Sequence, residues 1–306
     1  MNKLLVLAGQ TATGKSDLAL GLAERYQGEI ISADSMQIYS GLGFITFPPS
    51  EDERKKIPHY LIEVISPKEE FNVANYLELA VPIVEEIWER GRLPIVVGGT
   101  GLYIKVLLEG IFQLPIASDE SLRKKLFEVF KDGSLYQELS QVDPESANKI
   151  HPKDARRIIR AMEVYFLTGK PLSYWKKQRR GGIGQRAEKL CFVVLFCERE
   201  ELKKRIWNRL MRLGEKEVEK AYGLWQKGMS RTAAKVLGLK ELVAVAQGKI
   251  SLGDAKKEIA KATYQYARRQ MIWFRKHARE ISQWPNASVV WLDCRDREGF
   301  LNNFVL

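Results

Sequence analysis

The sequence predicts an α/β protein: a parallel sheet covered by helices, with a helical domain inserted into it. Two observations carry that expectation. Short, continuously apolar runs alternate with longer helical stretches over residues 3–113, the rhythm of parallel strands joined by crossover helices. Between about residue 114 and residue 188 the strands vanish and the chain becomes polar, helical and strongly basic, until an apolar run restores the first pattern.

The elements follow in order. Leu4–Ala8, Glu29–Ser32 and Pro94–Val97 are apolar runs of strand length, suited to burial on both faces. Lys15–Tyr26 and Val73–Arg90 have helical periodicity. In the basic stretch the same period predicts helices over Ser118–Phe130, Ser134–Ser140 and Asp154–Thr168, and Arg179-Arg180-Gly181-Gly182-Ile183-Gly184 closes it flexibly. Leu190–Cys197 is again a buried strand, and amphipathic helices are expected over about 199–227, 231–247 and 252–279. The domain expectation is therefore a catalytic core of residues 1–113 plus 189–306 and a basic helical insertion of residues 114–188.

Composition narrows the function classes. At 306 residues, with 45% hydrophobic and 28% charged side chains, the chain has the balance of a soluble globular protein, and no run is long enough to cross a bilayer. The apolar run after Lys3 ends within five residues at Gly9, so it reads as a first strand and not as a signal peptide. Cys191, Cys197 and Cys294 cannot all pair and show no metal-ligand spacing, so they are expected to be buried and reduced in a cytoplasmic protein. His59, His151 and His277 are too scattered to argue a metal site. A formal charge of +11 attracts polyanions and points toward nucleic acid.

The chemistry concentrates in three turns. Gly9-Gln10-Thr11-Ala12-Thr13-Gly14-Lys15-Ser16 has the P-loop spacing between a strand and a helix. In a P-loop NTPase-like core its amides and the following helix N-terminus cradle phosphates, Lys15 adds a point charge and Ser16 can ligate Mg²⁺. The motif alone leaves open whether the ligand is ATP or another diphosphate. Asp34, at the end of the second strand, lies at the sheet edge where such folds hold ligands, and reads as a base, an organiser of metal-bound water, or a helix N-cap. Gly98-Gly99-Thr100-Gly101 follows another strand at that edge; its glycines allow close approach to a ligand and Thr100 supplies a hydroxyl, although glycines also serve tight turns structurally.

Together these turns resemble the bacterial tRNA dimethylallyltransferases, also called tRNA isopentenyltransferases. The resemblance extends through Asp34-Ser35-Met36-Gln37-Ile38-Tyr39, Pro58-His59-Tyr60-Leu61, Gly98-Gly99-Thr100-Gly101-Leu102-Tyr103 and His151-Pro152-Lys153-Asp154. It continues through Arg157–Val164, Leu167–Pro171, Arg268-Arg269-Gln270 and Trp273-Phe274-Arg275.

That resemblance implies transfer of a dimethylallyl group from dimethylallyl diphosphate to N6 of the adenosine just 3′ of the tRNA anticodon, with Mg²⁺ as cofactor. It implies catalytic roles for Lys15, Asp34 as general base, and Thr100. It implies tRNA contacts at Asp34, Ser35, Met36, Gln37, Thr100, Arg123, Arg156, Arg157, Ile158, Ile159 and Arg160. A monomer acting on the anticodon stem-loop is expected. Independently, the Gln37 amide has the donor and acceptor needed by an adenine edge.

The chain also departs from the family pattern. Gly41–Pro49 replaces the usual stretch after Tyr39, with Pro48 at the customary lysine position, and Lys235–Glu241 and the surroundings of Arg209 are altered. These changes fall on binding surfaces, so altered tRNA affinity or target choice is expected. An ATP-dependent small-molecule kinase, a prenyltransferase acting on free adenine nucleotides, and an RNA binder without turnover would share parts of the pattern. In the run from Tyr264 to Arg275, Tyr266, Trp273 and Phe274 are assigned to packing, and Arg268, Arg269 and Arg275 to RNA.

Overall fold

The structure, a computed structural model, describes residues 2–112, 114, 119–131 and 133–305. Gln113 and Ser118, at which two of the expected segments end and begin, lie outside the described residues.

Among the described residues six parallel strands form one sheet: β1 (Lys3–Gly9), β2 (Gly28–Ser32), β3 (His59–Tyr60), β4 (Leu93–Gly98), β5 (Lys189–Phe196) and β6 (Ala287–Asp293). Their order across the sheet is β3-β2-β4-β1-β5-β6. The four central strands are the apolar runs of the sequence, and covering both faces is what such composition requires. β3 and β6 lie at the edges, and the sequence reading missed both. β3 has only two residues, and β6 is mostly half-buried or exposed, so neither shows a continuous apolar run.

Leu5 and Leu7 of β1, Ile95 of β4 and Val193 of β5 pack against Leu18, Leu22 and Ala23 of the helix Lys15–Tyr26. The long helix Leu252–Ile281 buries Ala267, Phe274, Ala278 and Ile281. The expected helix over 199–227 is two helices, Arg199–Leu210 and Glu215–Gln226. They part before Gly214, whose N–H the Glu217 carboxylate caps at 2.9 Å. The one over 231–247 shrinks to a turn at Ala233–Lys235 and the helix Leu239–Ala246, split at Gly238, whose φ of +95° favours glycine.

The cysteine expectation is corrected. Cys197 and Cys294 form a disulfide, and only Cys191 is free and buried. Each partner follows its strand immediately, and the parallel register pairing Phe196 with Asp293 carries the two Cα atoms to 5.2 Å. That proximity depends on which strands are neighbours, so residue spacing does not reveal it.

The chain divides into two compact units, residues 1–108 with 183–306, and residues 109–182. The second unit packs the helices Glu120–Phe130, Ser134–Val142 and Ala155–Thr168 around Leu126, Leu135, Leu139, Ile158 and Met162. Its ends meet: Ile111 and Arg180 exchange two backbone hydrogen bonds of 3.0 Å.

Candidate active site

The phosphate loop joins β1 to the helix Lys15–Tyr26 at the carboxyl edge of the sheet. A Cβ on Gly9 would sit 2.0 Å from the Leu195 carbonyl oxygen, so only glycine lets the loop leave the sheet here. Thr13 Oγ1 donates to the Gln10 carbonyl at 2.9 Å, and Gln10 Oε1 accepts the Cys197 N–H at 3.0 Å. Thr11 N–H is accepted at 2.9 Å by Gln270 Oε1 from the long helix. Lys15 Nζ turns back on the loop, donating to the carbonyls of Gly9 and Gln10. Burial pulls its pKa down to about 7, against the opposing effect of Asp34.

Asp34 closes the turn after β2. Both hydrogen bonds it accepts fall on Oδ1, from the N–H groups of Met36 at 2.8 Å and Gln37 at 3.2 Å. The residues that follow form a turn and not a helix, so Asp34 is no helix cap; it closes the turn with one oxygen of the two. Thr100 braces the neighbouring turn: its N–H donates to Ala33 O at 3.1 Å and its Oγ1 accepts the Ser35 N–H at 3.0 Å. A Cβ on Gly98 would lie 2.1 Å from Ala33 O, which is why the two turns can touch. Gln37 Nε2 makes long contacts to the carbonyls of Thr46 and Phe47, at 3.3 and 3.5 Å, and so leans on the atypical loop after Tyr39.

Two cavities meet over these turns. One, about 540 Å³, is walled by the phosphate loop from Thr11 to Ser16 and by Arg205, Asn208, Arg209 and Arg212. The other, about 280 Å³, is lined by Ser35 and Met36 and by apolar side chains, among them Ile45, Ile206, Leu210, Val236 and Ile259. Thr11, Ala12, Asp34, Phe47, Arg209 and Tyr266 line both. A basic phosphate cradle thus opens beside a small apolar chamber, with one carboxylate at the junction. A further cavity, about 760 Å³, touches the loop at Gln10 and lies along Tyr264, Arg268, Arg275 and Arg279, away from Asp34 and Lys15.

Three members of the site come from helices remote in sequence. Arg209 donates to Thr11 Oγ1 at 3.3 Å and to the Thr46 carbonyl at 2.5 Å, and its guanidinium lies 4.4 Å from the Phe47 ring centre. Burial lowers its pKa to about 10, leaving it charged at neutral pH. Tyr266, expected in the core, instead lines both cavities, and burial raises its pKa to about 12. Gln270 connects Thr11 with Gly99, whose carbonyl accepts its Nε2 at 2.9 Å. Arg209 and Tyr266 look like any other residue of a partly polar helix face, while Gln270 falls in the Arg268-Arg269-Gln270 motif, which marks the position without revealing what it bonds.

In the second unit, Ile158 and Ile159 belong to the core, at 0% and 8% exposure, and do not face a ligand. They occupy the inner stripe of their helix, which leaves its outer residues as the ones a partner could reach. Arg156 and Arg157 are exposed, and Arg157 pairs with Asp154 at 3.3 Å. Arg160 and Arg123 both grip the fully buried Glu163, at 2.6 and 2.9 Å.

The fold and the loop between β1 and its helix define a P-loop protein. Residues 37–277 match the IPP transferase family model. A tRNA dimethylallyltransferase of Thermoanaerobacter sp. (strain X514) is 40% identical over 279 residues, 89% of each chain. The crystal structure of the full-length tRNA isopentenylpyrophosphate transferase of Bacillus halodurans superposes with a TM-score of 0.68 at 33% identity, covering 99% of this chain and 95% of that one. A eukaryotic dimethylallyltransferase acting on tRNA gives 0.75 at 28% identity, with coverages of 98% and 76%. The chain belongs to the IPP transferase family.

Proposed function

We propose that this enzyme transfers the dimethylallyl group of dimethylallyl diphosphate to N6 of the tRNA adenosine 3′-adjacent to the anticodon, releasing diphosphate. The observation that carries the reading is the meeting of the phosphate cradle and the apolar chamber at Asp34, Arg209 and Tyr266. A five-carbon chain suits the chamber, and the loop amides, Lys15 and Arg209 suit the diphosphate.

In the reaction the bond from the allylic carbon to the diphosphate oxygen breaks, and the electron pair leaves with the diphosphate. The bond from N6 to that carbon forms as N6 loses a proton. Lys15, Arg209 and the loop N–H groups stabilise the growing negative charge more in the transition state than before it. The N6 lone pair is delocalised into the ring, so Asp34, accepting the proton on the oxygen that does not close the turn, lowers the barrier. Ser16 and the carboxylate of Asp34 border the same cavity, an oxygen set that suits Mg²⁺ held largely by phosphate and water. When bound, Mg²⁺ supplies further neutralisation of the leaving diphosphate.

The acceptor base must leave its stack to reach the buried junction, so a flipped adenosine is expected. The enzyme acts as a monomer, and the Cys197–Cys294 bond removes the cysteine argument for a cytoplasmic address. The decisive experiment incubates the protein with unmodified bulk tRNA and labelled dimethylallyl diphosphate, then identifies the labelled nucleoside. N6-dimethylallyladenosine from tRNA is expected. Label confined to free adenine nucleotides, or transfer of the γ-phosphate of ATP to a small molecule in its place, overturns the reading.

A further inference from the structure

Behind the phosphate loop lies a segment that the family match does not include, since that match ends at residue 277. After β6 the chain turns at Cys294 and enters the helix Arg297–Asn303, which is tied to the helix Lys15–Tyr26 by Arg25 donating to the Asn302 carbonyl at 2.8 Å. Arg297 is the centre of this contact. Its Nη1 donates to the Gly14 carbonyl at 3.1 Å and to Asp17 Oδ2 at 2.9 Å, while its Nε donates to the Cys294 carbonyl at 3.0 Å. The guanidinium fills the space a side chain at residue 14 would take: a Cβ there would lie 1.7 Å from Nη1. The φ of +82° is what calls for glycine at residue 14, and the missing side chain leaves the room that the guanidinium takes.

The Gly14 carbonyl shares its peptide group with the Lys15 N–H. A cationic donor on the carbonyl polarises that peptide and strengthens the N–H as a donor. The Lys15 N–H is one of the first in its helix, without an intrahelical acceptor, and such groups are the ones that bind phosphate. The Arg297 charge also adds to the positive end of the helix, partly offset by the exposed Asp17.

The disulfide holds the other side of Arg297. Cys294, whose carbonyl Arg297 grips, is bonded to Cys197, whose N–H donates to Gln10 Oε1 at 3.0 Å. One cystine therefore reaches both ends of the loop, Gln10 at its start and Gly14 at its finish.

We propose that Arg297 is a positioning residue for donor binding, bracing the phosphate loop from behind through Gly14, and that the Cys197–Cys294 disulfide anchors this brace. The proposal rests on the reading that the loop binds the donor diphosphate. Replacement Arg297→Met raises KM for dimethylallyl diphosphate by roughly threefold to tenfold and leaves KM for tRNA within about twofold, from the helix-end and peptide-polarisation effects together. Arg297→Lys, which keeps the charge, recovers part of the loss.

Cys197 and Cys294 are buried, at 7% and 1% exposure, so the bond is removed by the double replacement Cys197→Ala with Cys294→Ala. Loss of the bond raises the donor KM about twofold to threefold and adds little in Arg297→Met. An unchanged donor KM in Arg297→Met, or lost thermal stability with the donor KM intact, overturns the proposal and assigns Arg297 to packing. Calorimetry with inorganic diphosphate separates the two levels of inference. Wild type that fails to bind it refutes the phosphate-loop reading and the brace with it, whereas equal binding by wild type and Arg297→Met refutes the brace alone.

Discussion

Gln270 bonds the phosphate loop through Thr11: its Oε1 accepts the Thr11 N–H at 2.9 Å, while its Nε2 donates to Gly99 at the same distance. One buried amide thus fixes the separation between two of the turns that make the site. Gln270→Leu removes both bonds and orphans an N–H and a carbonyl, at a cost of about 1–3 kcal/mol for each group. The expected outcome is a lower denaturation midpoint and a raised donor KM. Unaltered values of both would show that the turns hold their spacing without it.

Lys15 gives a pH dependence. Its pKa in the ligand-free protein is about 7, below the ordinary 10.5, because burial disfavours the charged form. The sign follows: below pH 7 the folded protein carries the full penalty of a buried charge, and that penalty fades as pH rises toward 10.5, where the unfolded chain also loses the proton. A bound diphosphate restores the charge. Donor binding at pH 8 should therefore take up close to one proton at Lys15, and affinity should fall as pH climbs above 7. Calorimetry in buffers of different ionisation enthalpy reads this directly. The uptake should vanish in Lys15→Met, which should also lose transfer while still binding tRNA.

Asp34→Asn keeps an oxygen for the Met36 and Gln37 N–H groups but removes the base. Folding and both binding steps should survive, and the single-turnover rate should fall by roughly 10²-fold or more. An unchanged rate leaves Asp34 only the turn to close.

The basic face of the second unit separates into two kinds of arginine. Arg156→Gln touches an exposed side chain, so it should flatten the dependence of log tRNA affinity on log salt by about one unit and leave stability alone. Arg160→Gln should cost stability as well, because Glu163 is fully buried and loses one of its two charged partners. Denaturation curves with salt titrations distinguish them, and identical behaviour of the two variants would contradict the division.

The central strands were legible because burial on both faces demands unbroken apolar runs, and the P-loop was legible because its work is done by backbone, which fixes glycine spacing. Asp34 was legible as a sheet-edge carboxylate whose roles only geometry could sort. What stayed hidden depends on which distant elements become neighbours. Arg209, Tyr266 and Gln270 join the site only when their helices pack beside the loop. Cys197 meets Cys294 only through the register of β5 on β6. Ile158 and Ile159 share a motif with the arginines around them yet serve the opposite side of the helix.

The paired backbone at Ile111 and Arg180 has a consequence for how this protein can change over time. Because the second unit enters and leaves through two hydrogen-bonded residues, its length between them is nearly decoupled from the entropy of closing the chain, which grows only with the logarithm of loop length. Helices within it can be lengthened, exchanged or recharged while the residues that close it stay put. Lineages could then revise this unit and leave the sheet with its phosphate loop as it is.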